Sequence, residues 1–201
     1  MSAAKHARTD HPVHEHISSR WSPYAFSGAS VSEADLRSLF EAARWAPSSY
    51  NEQPWAYMVA RKENAAEFAK VLSCLVEANQ AWAKSAPVLA IGLARSAFSR
   101  NGNPNKAALH DLGLASANLT MEAGVRGLHV HQMIGIDPAK VREVFKVPAD
   151  VEPLTGLAIG HVGKADDLPA NIRERDLSAR QRKPLKDFVF DTTWQHPAAI
   201  L

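Results

Sequence analysis

The stretch Ala46-Pro47-Ser48-Ser49-Tyr50-Asn51-Glu52-Gln53-Pro54-Trp55 joins two segments of different periodicity, and its reading organises the rest of the chain. Before it, Ser32 and Asp35 have the form of a capping box. Leu36, Leu39, Phe40 and Ala43 follow at helical spacing, so a helix runs toward Pro47. After it, Ala56 to Ala60 is short and apolar around Tyr57, Met58 and Val59, which suits a buried strand. Pro47 and Pro54 stiffen the connection. Ser48, Ser49, Asn51 and Gln53 offer donors and acceptors from it, an arrangement able to recognise the polar edge of a flat heterocycle. Composition alone also fits a capped turn whose side chains satisfy their own backbone.

Working outward, Phe68, Val71, Leu72 and Leu75 mark a second helix, and Val88-Leu89-Ala90-Ile91-Gly92-Leu93 a buried strand. Ser96 to Asn105 has loop composition. From Lys106 to Ala123 apolar residues surround the helix almost completely, which places it in the middle of a domain. Gly124 and Gly127 end it, Leu128 to Met133 is extended, and Asp137-Pro138 opens a short helix through Phe145. Leu154 to Gly160 forms a further strand. The charged tail from Asp166 to Lys186 leads to Phe188-Val189-Phe190, read as a last strand, within an extended C-terminal arm that reaches another subunit. Four or five short strands among about five helices make an α+β layered domain.

A chain of 201 residues fits one domain, since domains commonly run to roughly 100–200 residues. Its 46% hydrophobic and 22% charged content supplies a core and a wetted surface, which excludes disorder as the default. A net charge of +2 is too weakly basic to imply a nucleic-acid partner. The lone cysteine, Cys74, forms no internal disulfide and no CxxC site, which suits a reducing cytoplasm. No run of about eighteen apolar residues occurs, so no membrane association is expected. Residues 1–15, rich in His, Ala and charge, read as a flexible N-terminal tail, and residues 16–201 as a single domain.

Phosphate-cradling glycine loops are absent: neither GxGxxG nor GxxxxGK[ST] occurs, so a nicotinamide cofactor is not held by a dinucleotide fingerprint. His129 and His131 share a strand face, but no nearby carboxylate or cysteine completes a metal site, and no metal is expected. His110 and Asp111 are adjacent on a helix and point in different directions, so a hydrolytic triad is not indicated.

The literal pattern P-S-S-x-N-x-Q-P-W, following E-A-A-x-x-A, resembles the nitroreductase family, whose members are FMN-dependent homodimeric reductases. The resemblance extends from Ser19 onward. Arg20-Trp21-Ser22-Pro23-Tyr24-Ala25-Phe26 resembles the family's N-terminal flavin motif, and Asn79 with Ala86-Pro87-Val88 the segment that presents an Asn to the flavin ring. His110 to Gly113 and Gly124 to Leu128 resemble its central helix and turn, Ile134-Gly135-Ile136-Asp137 its loop beneath the flavin, and Arg180-Gln181-Arg182-Lys183-Pro184-Leu185 its closing basic segment. Implied is a central, mostly antiparallel sheet flanked by helices in an intertwined homodimer, with FMN at the subunit interface.

On this resemblance Arg20, Ser22, Arg180 and Arg182 would meet the FMN phosphate, with Trp21 in the same motif. Pro47, Ser48, Ser49, Asn51 and Gln53 would come from the partner subunit, Asn79 would meet the pyrimidine edge, and Ile134 and Gly135 would lie close to flavin N5. Tyr24 departs from the pattern, because the family usually has Arg or Lys there. A phenol donates a hydrogen bond but brings no positive charge, which weakens stabilisation of an anionic reduced ring. No side chain need act as obligate acid or base, since the flavin carries the hydride chemistry. The implied reaction passes hydride from NAD(P)H through the flavin to a nitroaromatic, quinone or activated alkene. The same fold also hosts flavin-dependent oxidases and dehalogenases, and a non-catalytic FMN-binding module is a further alternative.

Overall fold

The computed structural model describes residues 5–201. Its elements run α1 (Glu15–Ser19), α2 (Glu33–Arg44), β1 (Trp55–Arg61), α3 (Ala65–Ser73), α4 (Glu77–Ala83), β2 (Val88–Arg95), α5 (Ala108–Val125), β3 (His129–Met133), α6 (Pro138–Phe145), β4 (Val151–Gly160) and α7 (Ala170–Leu177). The four strands form one sheet in the order β1-β2-β4-β3, antiparallel at every pairing.

Alternation along β2 shows how the layers arise. Val88 and Ala90 face a cluster with Leu36 and Leu39 of α2 and Ala115 and Leu119 of α5. Leu89, Ile91 and Leu93 face the opposite cluster, with Phe68 and Val71 of α3, Trp82 of α4 and Val141 of α6. A strand buried on both faces must be apolar throughout, and β2 is buried from Val88 to Ala94.

The expected helix starts hold. The Ser32 hydroxyl accepts from the Asp35 N–H at 3.0 Å, and the Asp137 carboxylate accepts from the Lys140 N–H at 3.1 Å ahead of Pro138. Helix α4 was not expected, and neither was α7, which is charged and buries only Ile172 and Asp176.

The strand expected at Phe188 to Phe190 does not form. Asp191 N–H donates to His196 O and Ala198 N–H to Val189 O, so the local chain takes up these backbone groups and only an isolated bridge joins Phe190 to Pro197. Nor is α5 enclosed on all sides. It packs on α2 and the sheet, while Leu109, Gly113, Ala117 and Val125, four residues apart or a multiple of four, remain exposed.

Of the tail read over residues 1–15, residues 1–4 lie outside the described residues. Lys5 is buried and its Nζ donates to Ser178 O at 2.7 Å. Among the described residues, no helix is long and apolar enough to cross a membrane.

Candidate functional site

The loop after α2 holds three non-glycine residues in left-handed conformation: Tyr50 (φ 53°), Asn51 (φ 56°) and Gln53 (φ 51°). Each costs of order 1 kcal/mol or more, so surrounding contacts must determine the path. Four do. Ser48 Oγ accepts from Gln53 N–H at 3.0 Å, and Gln53 Nε2 donates to Asn51 O at 3.0 Å. The Ser49 N–H donates to Asp111 Oδ2 at 3.0 Å, and the Ser99 N–H donates to Glu52 Oε1 at 2.7 Å. The Arg100 guanidinium also lies 4.3 Å from the Tyr50 ring centroid. Ser48, Ser49, Asn51 and Gln53 are thus brought together on a fixed backbone, and Tyr50 is left 75% exposed.

A second group forms where the chain leaves α1. Arg20 Nη1 donates to Ser22 Oγ at 3.2 Å. Burial, and then the charges of Arg180 and Arg182, push the Arg20 guanidinium below its ordinary value. The three arginines expected at a phosphate therefore converge, although Arg180 and Arg182 lie some 160 residues from Arg20 in sequence. None of them pairs with a carboxylate among the described residues. Arg180 is held by Lys5 O at 3.1 Å and by Ser18 O, yet its Nε is shielded and without a partner. Trp21 is buried, with Lys5 Nζ 4.7 Å from its ring, and its Nε1 also lacks a partner. Nearly all buried polar atoms in folded proteins are satisfied, so these donors mark a place shaped for an anion.

A third group joins α4 to the turn after β3. Asn79 Nδ2 donates to Gly135 O at 2.9 Å, and the Val76 N–H donates to the same oxygen at 3.1 Å. A Cβ on Gly135 would stand 2.3 Å from Asn79 Nδ2 and 2.9 Å from Val76 Cγ2, so glycine is required here for close approach within the protein itself. Gly135→Ala is expected to lower stability by about 1–3 kcal/mol. A urea midpoint equal to wild type would mean that Asn79 swings aside freely. Ile134 beside it is 70% exposed.

A cavity of about 210 Å³ opens next to Ile134, lined by Leu112, Gly113 and Ser116 of α5, Gln132 and Met133 of β3, and Thr155 of β4. Strand β3 connects the second group to the third over roughly 13 Å, at about 3.3 Å per residue. Cations stand at one end and a mostly apolar recess at the other.

Tyr24 lies between these groups. Its N–H donates to Asp176 Oδ1 at 2.7 Å, and its ring packs edge-on against Trp82 (5.0 Å) and His131 (4.6 Å). His131 Nδ1 contacts Pro23 O at 2.9 Å, and burial lowers its proton affinity. The hydrogen bonds of the first group reach neither of the other two among the described residues.

Sequence reasoning missed Asp111 and Asp176. It set Asp111 aside with His110, and in the fold the pair does touch, His110 Nδ1 lying 3.2 Å from Asp111 Oδ1. Asp111 nevertheless serves the loop rather than a nucleophile. The signal available was a carboxylate near the start of a helix that apolar residues largely surround, which once buried demands a partner. Asp176 lay in a charged tail, where nothing distinguished it from its solvated neighbours.

Among known proteins, the model of the Nitroreductase family matches residues 17–161. The sequence is 39% identical over 87 residues to an uncharacterized 15.4 kDa protein of Mycolicibacterium smegmatis, covering 43% of this chain and 58% of that protein. The chain thus spans little more than half the length of that relative. It is 29% identical over 161 residues to a Streptomyces coelicolor protein that carries a provisional NADH dehydrogenase/NAD(P)H nitroreductase name, covering 69% of this chain and 77% of that one. A crystal structure described as an oxidoreductase containing FMN matches with a TM-score of 0.90 and 31% identity, over 98% of this chain and 100% of that one. A nitroreductase family protein from Streptococcus pneumoniae has the same fold, with a TM-score of 0.70 and 19% identity over 88% of this chain and 98% of that one.

Proposed function

The chain belongs to the nitroreductase family of oxidoreductases, and from that premise we propose that it is an FMN-dependent enzyme passing hydride from NAD(P)H to an electron-poor acceptor, the two half-reactions alternating at one site. The acceptor classes that fit are nitroaromatics, quinones and activated alkenes. The observation that carries this reading is the convergence of Arg20, Arg180 and Arg182, without carboxylate partners among the described residues, beside the shielded Trp21 Nε1 and Arg180 Nε. Such a group suits a phosphate dianion. The name of the Streptomyces coelicolor relative supports the nicotinamide half, and that of the FMN-containing structure supports the cofactor.

In this reading Arg20, Ser22, Arg180 and Arg182 hold the phosphate, with Trp21 packed beside them. Asn79 presents an amide to the pyrimidine edge, and the turn at Ile134 and Gly135 lies under the ring. The bound flavin would supply the hydride-exchanging centre. The protein's own residues bind and orient: cations neutralise the phosphate, the Asn79 amide is fixed by Gly135 O, and Leu112, Met133 and Leu154 keep water from one wall of the recess. No side chain in this recess need donate or accept a proton during turnover.

The loop holding Pro47, Ser48, Ser49, Asn51 and Gln53 would complete the site of a second copy. Its rigid backbone supports this, and so does the exposed ridge of α5, where Gly113 and Ala117 leave room for a second helix.

Anaerobic addition of NADPH and then NADH to the purified protein tests the reading. Rapid loss of the oxidised-flavin band is expected. A bound flavin that stays oxidised would indicate a storage module, and oxygen-dependent turnover without nicotinamide an oxidase.

A further inference from the structure

His129 opens β3 beside the arginine group and was not among the residues expected there. Its Nδ1 is shielded and without a partner, like Trp21 Nε1 and Arg180 Nε, and its ring stands edge-on to Trp21 at 5.9 Å. The surrounding charges are almost all of one sign. Arg20 faces it from the segment after α1, and His161 from the segment after β4. Arg180 and Arg182 of the C-terminal arm act on Arg20, and Lys5 lies over Trp21. His131, two residues on, is occupied by Pro23 O, and the carboxylate of Asp176 is taken by the Tyr24 N–H.

Burial, then the charges of Arg20 and His161, hold the His129 imidazole down to about 4, so it is neutral near pH 7. A dianion placed among these cations offsets the positive local field. The same imidazole, already desolvated and unpartnered, then loses the repulsion that favours its neutral form.

We propose that His129 is a titratable group beside this anion site, and that binding of the FMN phosphate draws one proton from solvent onto its ring. The proposal rests on reading the Arg20 group as the phosphate site. No covalent bond changes: the neutral imidazole, a proton and the dianion combine into an ion-paired complex. The sign follows from linkage. A group whose pKa rises on binding takes up a proton, so affinity grows as pH falls between the free and the bound values.

The test uses the FMN-loaded protein. The dissociation constant is measured from flavin fluorescence on dilution at pH values from about 5 to 8, for wild type and His129→Gln, a variant that retains a donor but does not titrate. The phosphate's own second ionisation, at about pH 6, contributes equally to both proteins, so the difference isolates the ring. Wild type should gain affinity relative to the variant by up to about tenfold per pH unit on acidification. Riboflavin, which lacks the phosphate, should show no such difference. Parallel pH profiles overturn the proposal. Should His129→Gln fail to fold, the His129 ring proton in the loaded wild-type protein reports directly by NMR. A midpoint above the ordinary histidine value of about 6.5 is expected, and one below it overturns the proposal. Arg20→Ala separates the two readings. If it binds FMN as tightly as wild type, the phosphate site itself is misassigned; if it binds weakly while the profiles above stay parallel, only the role of His129 is lost.

Discussion

Ala117→Arg should convert the flavin-loaded dimer proposed above into a flavin-free monomer. Ala117 lies midway along the exposed ridge of α5, between Leu109 and Gly113 on one side and half-buried Met121 and exposed Val125 on the other. A helix that leaves such an apolar ridge open is incompletely buried within one chain. Against a second copy, the small side chains of Gly113 and Ala117 allow close helix approach, and no other described residue approaches within 4 Å of a Cβ placed on Gly113. An arginine there must bury an unpaired charge at a cost of several kcal/mol, which weakens dimerisation about a hundredfold or more. Flavin should be lost with the dimer, because the loop of Ser48 to Gln53 is proposed to complete a partner's site. Sedimentation and the visible spectrum read both effects. A yellow dimer would show that this ridge is not the interface.

Arg20→Ala should weaken FMN binding by about 10- to 100-fold and leave riboflavin binding nearly unchanged. Hydrogen bonds to charged groups contribute about 1.5–3 kcal/mol, and among the described residues Arg20 has no carboxylate partner. The substitution also removes a guanidinium that repels Arg180 and Arg182, so the flavin-free protein should unfold no more readily than wild type. The combination is diagnostic. A structural arginine would lose stability on truncation, whereas a ligand-binding one loses affinity. Equal weakening of FMN and riboflavin would move the phosphate elsewhere.

Much of the fold was legible because periodicity survives in the sequence wherever one face is buried. The cap at Ser32, the start at Pro138 and the strand beginning at Val88 all fall where pattern and capping chemistry place them. Helix α7 was not legible, since only Ile172 and Asp176 among its eight residues are buried and no stripe results. Phe188 to Phe190 misled for the opposite reason. An apolar, β-favouring triplet becomes a strand only if an edge accepts it, and here Val189 and Asp191 bond within their own turn.

By itself, the sequence determined the chemical kinds present in the candidate site: the arginines, the Ser-Ser-x-Asn-x-Gln loop, the Asn79 amide and the Gly135 turn, each set by local residue identity. Only the tertiary structure decided their company. It brought Arg180 and Arg182 to Arg20 across the length of the chain, turned Asp111 into the anchor of a strained loop, and set His129 beside Trp21 with its Nδ1 unpartnered. Local patterns report backbone preference and one buried face. Burial and like-charge crowding depend on segments distant in sequence, and they appear only when the chain closes on itself.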